Sequence, residues 1–214
     1  MKSNIRIAYI ALTALVVWFG LCLQFYISTE KYMADGRSFI GAIIQIFSFF
    51  TIETNILVAV ALTAVLIKPA SKWGNFFSRT TVLTAITVYI VIVGLIYNII
   101  LRGLWKPEGL FKLTDDLLHS VSPIMFVVLW LFFVPKEKIR WKEIFLWAIF
   151  PLVYLVYSLI RGYFTGDYPY NFIDARVISY TQIMINSFFV LLAFLVISAV
   201  FIIIGRLLSN NKKT

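Results

Sequence analysis

The sequence has few charged residues. Only 14% of its 214 residues are charged, whereas 61% are hydrophobic and the mean hydropathy is +0.92. A soluble domain of this length needs more polar surface than these side chains supply. Lipid is therefore the expected solvent for most of the chain.

Cysteine and histidine are also scarce. The single cysteine, Cys22, lies in the first apolar run and has no intrachain disulfide partner. His119 is the only histidine, and no H-E-x-x-H or C-x-x-C spacing occurs, so the sequence offers no set of metal ligands. The G-x-S-x-G turn of conventional serine hydrolases is missing as well. The sequence predicts no metal and no other cofactor.

Six apolar runs are each long enough to cross about 30 Å of hydrocarbon as a helix. They lie near residues 5–27, 39–67, 80–101, 117–134, 141–160 and 178–205. The regular alternation of a membrane β-barrel is not present in them. The sequence therefore predicts an all-α integral membrane protein, with residues 1–214 forming one domain, a bundle of six transmembrane helices.

Basic residues are divided unequally between the loops on the two sides of this bundle. Alternate loops carry 12 lysines and arginines on the side that holds both chain ends, and 7 on the other side. The positive-inside rule assigns the richer side to the cytoplasm. We therefore expect cytoplasmic N- and C-termini in a multi-pass protein of the cell membrane. Anionic inner-leaflet lipid accounts for the net charge of +9, and no nucleic-acid partner is predicted.

Polar residues inside apolar spans each need a partner or water. Such residues form one cluster in each of the second, fourth, fifth and sixth spans. The clusters are Gln45, Ser48, Thr51, Glu53, Thr54 and Asn55; Asp115, Asp116, His119 and Ser122; Tyr154, Tyr157, Ser158 and Arg161; and Tyr180, Gln182 and Asn186. A lone polar residue usually joins two helices, whereas four clusters indicate a polar intramembrane cavity.

In the second span, a rotation of about 100° per residue places Ser48, Thr51 and Asn55 on one face. Glu53 points away from that face. Because an ionised carboxylate in lipid is costly, we expect Glu53 to be protonated, or paired with a basic or hydroxyl group of a neighbouring helix. Both a structural tie and a functional role remain open for Glu53.

In the fourth span, His119 is the candidate general base, since histidine suits proton transfer near neutral pH. If Thr114 caps this helix, Asp115 and Asp116 lie in its first turn and share the face of His119, so either acid could orient the imidazole. Pro123 has no N–H, which predicts a kink and a free carbonyl at His119. A purely structural histidine is the alternative.

Thr51 and His119 are expected at one depth. Each lies 17 residues before the lysine that ends its span, Lys68 or Lys136. At the helical rise, both are about 25 Å above the inner boundary, in the outer part of the bilayer. The spacing therefore permits a threonine and histidine pair.

Three short runs resemble a known family. They are FTIETN at residues 50–55, HSVSP at 119–123 and DYPYNF at 167–172. These runs resemble the bacterial six-helix Pr6Pr membrane proteins, which in turn look related to the eukaryotic androgen-induced gene 1 and androgen-dependent TFPI-regulating proteins. The likeness extends over nearly the whole chain.

The resemblance implies an intramembrane threonine hydrolase that acts on fatty acid esters of hydroxy fatty acids in a bacterial membrane. Its essential threonine and histidine would correspond to Thr51 and His119, with Thr54 as the alternative threonine. The substrate would be a membrane lipid or other fatty acyl ester.

Other residues of the clusters could assist such chemistry. Asn55 is a candidate oxyanion donor or orienting group, and Ser48 shares its face. Arg161 is a candidate partner for a substrate carboxylate. The alternatives are that Asn55 ties helices together and that Arg161 is an interfacial anchor. For the whole chain, the alternative is a non-enzymatic lipid-binding or transport protein with a polar cavity.

Overall fold

The fold is built almost entirely from helices. The structure, a computed structural model, describes residues 2–104, 106–136 and 139–210. The described residues are 82% helical and contain no strand. The prediction of an all-α protein is confirmed.

Nine α-helices follow one another along the described chain. They are α1 (Lys2–Ala34), α2 (Phe39–Phe47), α3 (Phe50–Ile67), α4 (Lys72–Phe77), α5 (Thr80–Ile96), α6 (Gly109–Asp116), α7 (Ser122–Phe133), α8 (Glu143–Thr165) and α9 (Tyr180–Asn210). Two π-helical segments continue or join them: π turn 1 (Tyr97–Leu101) extends α5, and π turn 2 (Leu117–Val121) joins α6 to α7. A short 3₁₀ turn, Asn171–Ile173, precedes α9.

Six helical stretches are long and apolar enough to cross a membrane. They are Asn4–Ala34, Phe50–Ile67, Thr80–Leu101, Gly109–Phe133, Glu143–Thr165 and Tyr180–Ser209. Large apolar side chains are exposed on each of them, for example Leu15, Val60, Leu95, Phe132, Phe145 and Phe188. So much exposed apolar surface requires lipid around it. The six predicted apolar helices are thus confirmed, and the chain is an integral membrane protein.

The second and fourth spans differ from their predicted forms. The second is broken at Ser48 and Phe49, where Phe49 takes an extended conformation, so that Thr51 is the second residue of α3. The fourth begins at Gly109 instead of residue 117, which places Thr114 inside α6, where its hydroxyl donates to the Phe111 carbonyl (3.1 Å). Thr114 therefore does not cap the helix that carries His119.

The chain divides into two compact units, Met1–Lys136 and Glu137–Thr214. The single transmembrane domain expected from the sequence stays a prediction. In the first unit, α1 packs against α3 and α7, and α5 packs against α3 and α7. Tyr9 donates from α1 to the Met125 carbonyl (3.0 Å), and Trp18 donates to the Thr63 hydroxyl (3.0 Å). These bonds tie α1 to its two neighbours.

The core of the first unit contains tightly packed aliphatic residues and a buried hydrogen bond between two helices. Ala59 and Val58 of α3 are fully buried, which allows close helix packing. Trp130 of α7 is also fully buried, and its indole N–H donates to the Thr84 hydroxyl of α5 (2.8 Å). At the end of α7, the Lys136 ammonium donates to the Trp130 and Val134 carbonyls. Lys136 therefore satisfies carbonyls that the helix end leaves without helical donors.

The second unit consists of α8, a connecting loop and α9. Helix α8 ends at Gly166, which takes the left-handed conformation (φ +72°) that favours glycine. At the far end of α9, the Arg206 guanidinium donates to the Ile139 carbonyl (2.6 and 3.0 Å) and lies over the Trp141 ring. Arg206 thus fixes the segment that leads into α8.

Candidate active site

Two π-helical turns of the first unit lie against each other. π turn 1 carries Tyr97 and Asn98, and π turn 2 carries His119. A π turn holds one residue more than an α-turn and often occurs at functional sites. Here the amide of Ser122 donates to the Leu117 carbonyl, five residues back. The Leu118 carbonyl therefore loses the Ser122 N–H that an α-helix would give it.

The carbonyl of His119 also lacks its α-helical donor, because residue 123 is proline. Its replacement is the side-chain amide of Asn98, which donates to the His119 carbonyl (3.1 Å). The free carbonyl predicted from Pro123 is therefore present, and a neighbouring helix supplies its donor. π turn 2 lies immediately before α7, and the kink expected at Pro123 stays a prediction.

The side-chain amide of Asn55 donates to the Leu118 carbonyl, just as that of Asn98 donates to the His119 carbonyl. The Asn55 amide donates to the Thr51 carbonyl (2.9 Å) and to the Leu118 carbonyl (3.2 Å). Asn98 likewise donates to the Gly94 carbonyl (2.8 Å) of its own helix. Each asparagine thus binds a carbonyl four residues back and one carbonyl of π turn 2. Both amide hydrogens of Asn55 are used in this way, which favours an orienting role and leaves none for an oxyanion.

Glycine allows the helices to approach π turn 2 this closely. A Cβ atom on Gly94 would lie 3.2 Å from the His119 carbonyl oxygen and 3.2 Å from the Pro123 ring. A Cβ atom on Gly20 of α1 would lie 3.0 Å from the Leu118 side chain. Two neighbouring helices therefore depend on glycine where they face this segment.

Thr51 and His119 meet at the centre of this arrangement. The Thr51 Oγ1 atom lies 3.2 Å from Nε2 of His119. Thr51 is buried, and the His119 side chain is 17% exposed. The expected pairing at one depth is therefore realised as a direct contact, and the two residues come from α3 and π turn 2.

Asp115 is the acid that orients the imidazole. The Nδ1 atom of His119 lies 3.0 Å from the Asp115 carbonyl oxygen and 3.2 Å from its carboxylate Oδ1. Two acceptors at Nδ1 place the imidazole proton there. The lone pair of Nε2 then faces the Thr51 hydroxyl, which is the protonation pattern of a general base.

Tyr97 contacts both Asp115 and His119. Its ring stacks on the imidazole of His119, with the centroids 3.9 Å apart and an angle of 18° between the planes. Its hydroxyl donates to the other carboxylate oxygen of Asp115. Because Tyr97 is almost fully buried, this packing restricts rotation of the imidazole. No sequence pattern indicated this residue beyond its place near the end of the third span.

Asp116 faces away from the imidazole. Its carboxylate accepts from Arg102 (2.6 Å) and from Lys112 (2.5 Å). Of the two acids that the sequence offered, Asp115 thus contacts His119 and Asp116 binds cations. The smaller rotation per residue in π turn 2 favours Asp115, four residues before His119, over Asp116, three residues before it.

The remaining polar residues of the second span do not contact His119 through any hydrogen bond or ion pair that the described residues show. The Ser48 hydroxyl donates to the Gln45 carbonyl (2.6 Å) at the break between α2 and α3, so Ser48 does not share the helix of Thr51. Within the described chain, the Thr54 hydroxyl has no hydrogen-bond partner, and neither an ion pair nor a hydrogen bond holds Glu53. Of the two alternatives expected for Glu53, pairing is thus not found there, and a protonated carboxyl stays a prediction. Glu53 lies in the first turn of α3, where the helix dipole favours a carboxylate.

Arg161 and the DYPYNF run belong to the second unit. The Arg161 guanidinium donates to the Asp167 carbonyl (2.5 Å) and lies 3.6 Å from its carboxylate. The Tyr168 ring fills the space where a side chain on Gly162 would lie. Arg161 therefore holds the loop after α8, and its exposed fraction of 9% leaves little surface for a substrate.

The same loop is closed by an ion pair. Asp174 accepts two side-chain hydrogen bonds from Arg176 (3.0 and 2.8 Å) and one from the Arg176 backbone amide (2.9 Å). These bonds hold the pKa of the buried Asp174 carboxyl below its ordinary value. The loop is thus fixed at both of its ends.

No protein-family model, curated protein or solved structure matches this chain. The class of protein is therefore defined by fold and geometry. It is a multi-pass helical membrane protein in which a threonine, a histidine, an aspartate and a tyrosine form one connected network.

The two asparagine ties predict a specific effect on the histidine. Asn98→Leu removes the donor of the His119 carbonyl and is expected to cost about 1–3 kcal/mol of stability. Since His119 is the only histidine, ¹⁵N-histidine labelling gives one imidazole whose signals should shift in this variant. Asn186→Leu is the matched control, because Asn186 makes the same kind of tie, to the Phe172 carbonyl (2.8 Å), in the second unit. Unchanged imidazole signals in Asn98→Leu would contradict the assigned role.

The proton on the imidazole can be located with the same label. In the unmodified protein at a pH where His119 is neutral, we expect Nδ1 to be protonated and Nε2 to be the unprotonated nitrogen. Solid-state or solution NMR distinguishes the two nitrogens by their chemical shifts. A neutral imidazole protonated at Nε2 would exclude the general-base geometry, because that nitrogen would then donate to Thr51 instead of accepting from it.

Proposed function

We propose that this protein is an intramembrane ester hydrolase in which Thr51 is the nucleophile and His119 the general base. The observation that carries the proposal is the 3.2 Å contact between Thr51 Oγ1 and His119 Nε2, with Asp115 at the opposite imidazole nitrogen. A nucleophile, a base and an orienting acid in that order constitute the arrangement of catalytic triads on unrelated folds.

The chemistry follows from the position of each atom. The Thr51 hydroxyl attacks the ester carbonyl as its proton passes to Nε2 of His119, and the imidazolium is stabilised by Asp115. Collapse of the tetrahedral intermediate breaks the ester bond, and His119 returns the proton to the departing alcohol. Water then attacks the acyl-threonine as His119 accepts one of its protons. Breakdown of this second intermediate breaks the bond to the Thr51 oxygen, to which His119 returns the proton, so that the carboxylic acid is released and Thr51 is restored.

The substrate class rests on the surroundings of the site and on family resemblance. The site lies in apolar helices, so an ester that reaches it has to partition into lipid. The runs at residues 50–55 and 119–123, which resemble the Pr6Pr and androgen-induced gene 1 proteins, contain Thr51 and His119. We therefore propose fatty acyl esters, and in particular fatty acid esters of hydroxy fatty acids, as substrates.

Orientation in the membrane is proposed from charge alone. The side that holds both chain ends has the larger number of basic residues, which favours a cytoplasmic location in the cell membrane. In this orientation the loop at residues 102–108 and the Thr51 and His119 pair lie toward the outer surface. A lipid would then reach the site from the outer leaflet.

The nucleophile can be tested with two isosteric variants of the same helix. Thr51→Val removes the hydroxyl that contacts His119, and we expect kcat for a fatty acyl ester to fall by about 10³-fold or more. Thr54→Val is the control, since its hydroxyl has no partner among the described residues and its loss should leave kcat within about twofold. Thr51→Ser should retain activity, and His119→Ala should lose as much as Thr51→Val.

The results distinguish a hydrolase from a lipid-binding or transport protein. If Thr51→Val and His119→Ala hydrolyse the ester as fast as the unmodified protein, the hydrolase assignment is wrong. Binding of the ester without any turnover would instead favour the lipid-binding or transport alternative.

The proposed orientation is tested by cysteine labelling. In a Cys22→Ser background, a cysteine introduced at Glu108 should react with a membrane-impermeant maleimide in intact cells, because this exposed position lies on the side with fewer basic residues. A cysteine introduced at the exposed Asn75 should react only after the cells are opened. The reverse pattern would place the chain ends outside.

A further inference from the structure

Three charged side chains lie beside the candidate active site at the ends of α5 and α6. The Asp116 carboxylate accepts from Arg102 at one oxygen (2.6 Å) and from Lys112 at the other (2.5 Å). The side chains of Arg102 and Lys112 are 48% and 62% exposed. Two cations thus share one anion, and the group keeps a net charge of +1. We call these residues the Arg102–Lys112 group.

The group is connected to His119 through Tyr97. The guanidinium carbon of Arg102 lies 5.8 Å from the ring centroid of Tyr97, and that ring is stacked 3.9 Å from the imidazole. The guanidinium is therefore within about 10 Å of the imidazole, at a distance from the Tyr97 ring that is typical of a cation–π contact. Lys112 lies seven residues before His119, or about 10 Å along the helix axis.

The remaining donors of the group suit a planar anion. A guanidinium has five N–H groups in a fork that matches a carboxylate, and the bond to Asp116 uses Nη2. The Lys112 ammonium has three donors and uses one of them for Asp116. Asp116 holds the two cations close together but neutralises only one of them. A single additional carboxylate would complete the charge balance.

We propose that Arg102 and Lys112 bind the free carboxylate of an acidic lipid ester and so hold its ester bond at Thr51 and His119. This inference rests on the proposed function for the ester, while the anion site itself stands on the geometry of the group. It assigns to Arg102 and Lys112 the role that the sequence suggested for Arg161, whose guanidinium is engaged by Asp167.

The spacing also limits which acidic lipids fit. The Arg102 guanidinium lies no more than about 10 Å from the imidazole, so the carboxylate and the scissile ester have to lie within a comparable distance of each other. An ester placed partway along a fatty acid chain can meet this condition. A phosphate dianion would leave an excess negative charge on a group whose net charge is +1.

Binding can be measured without hydrolysis. The probe is a non-hydrolysable ether analogue of an acyloxy fatty acid, which keeps the terminal carboxylate, added to the full-length protein in nanodiscs of zwitterionic lipid. Arg102→Gln and Lys112→Gln should each raise its Kd by about tenfold, because each removes one charge-assisted contact. The same ether probe with a terminal hydroxyl in place of the carboxylate should bind the unmodified protein about as weakly as the carboxylate probe binds these variants.

Lys31→Gln is the matched control. Lys31 forms an exposed pair with Asp35 at 3.0 Å and with the same four-residue spacing as Lys112 and Asp116, but it has no contact with Tyr97. This variant should leave the Kd unchanged. Lys112→Gln is the variant least expected to disturb folding, because its side chain is the most exposed of the group.

Each result distinguishes the anion site from the hydrolase. Equal Kd values for the unmodified protein, Arg102→Gln and Lys112→Gln would overturn the carboxylate site while leaving the hydrolase proposal intact. Tighter binding of a phosphate-bearing analogue would overturn the assignment to a carboxylate. If the variants bind weakly as expected but the unmodified protein hydrolyses no ester, the anion site stands and the proposed function fails.

Discussion

Two backbone carbonyls without helical donors, those of Leu118 and His119, are the constraint on which the first unit depends. A carbonyl left without a donor in an apolar environment costs several kcal/mol. Asn55 and Asn98 satisfy these carbonyls from two different helices. Because the two amides converge on successive residues of π turn 2, they fix its position between α3 and α5. Pro123 and π turn 2 remove the α-helical donors of these two carbonyls, and the amides of the two asparagines replace them.

The same hydrogen bonds that satisfy the backbone also position the reactive groups. Asn55 joins the Thr51 carbonyl to that of Leu118, so the threonine and the residue before His119 are tied through one side chain. Tyr97, next to Asn98, then presses its ring on the imidazole and binds Asp115. The contacts that satisfy the backbone carbonyls therefore also position the side chains of the candidate site. The network continues from Tyr97 to the Arg102 guanidinium, which lies near the Tyr97 ring. Lys112 joins it through its ion pair with Asp116.

Helical rise and hydropathy were sufficient to predict six apolar helices and a common depth for Thr51 and His119. They could not choose between Asp115 and Asp116, because the choice depends on the changed rotation within π turn 2. The break at Ser48 was also not predictable, since neither proline nor glycine marks it. The roles of Tyr97 and Asn98 were not predictable either. They depend on lateral packing against π turn 2, which the periodicity of a single span does not encode.

The central claim, that Thr51 is a nucleophile held by His119, is tested most directly by trapping the covalent intermediate. The full-length protein is mixed with a slowly released fatty acyl ester, quenched in acid and digested, and the peptides are sequenced by mass spectrometry. The account predicts an acyl group on Thr51 that is missing in His119→Ala. Ester turnover with no acyl group on Thr51, or with the acyl group on Thr54 or another residue, would contradict it.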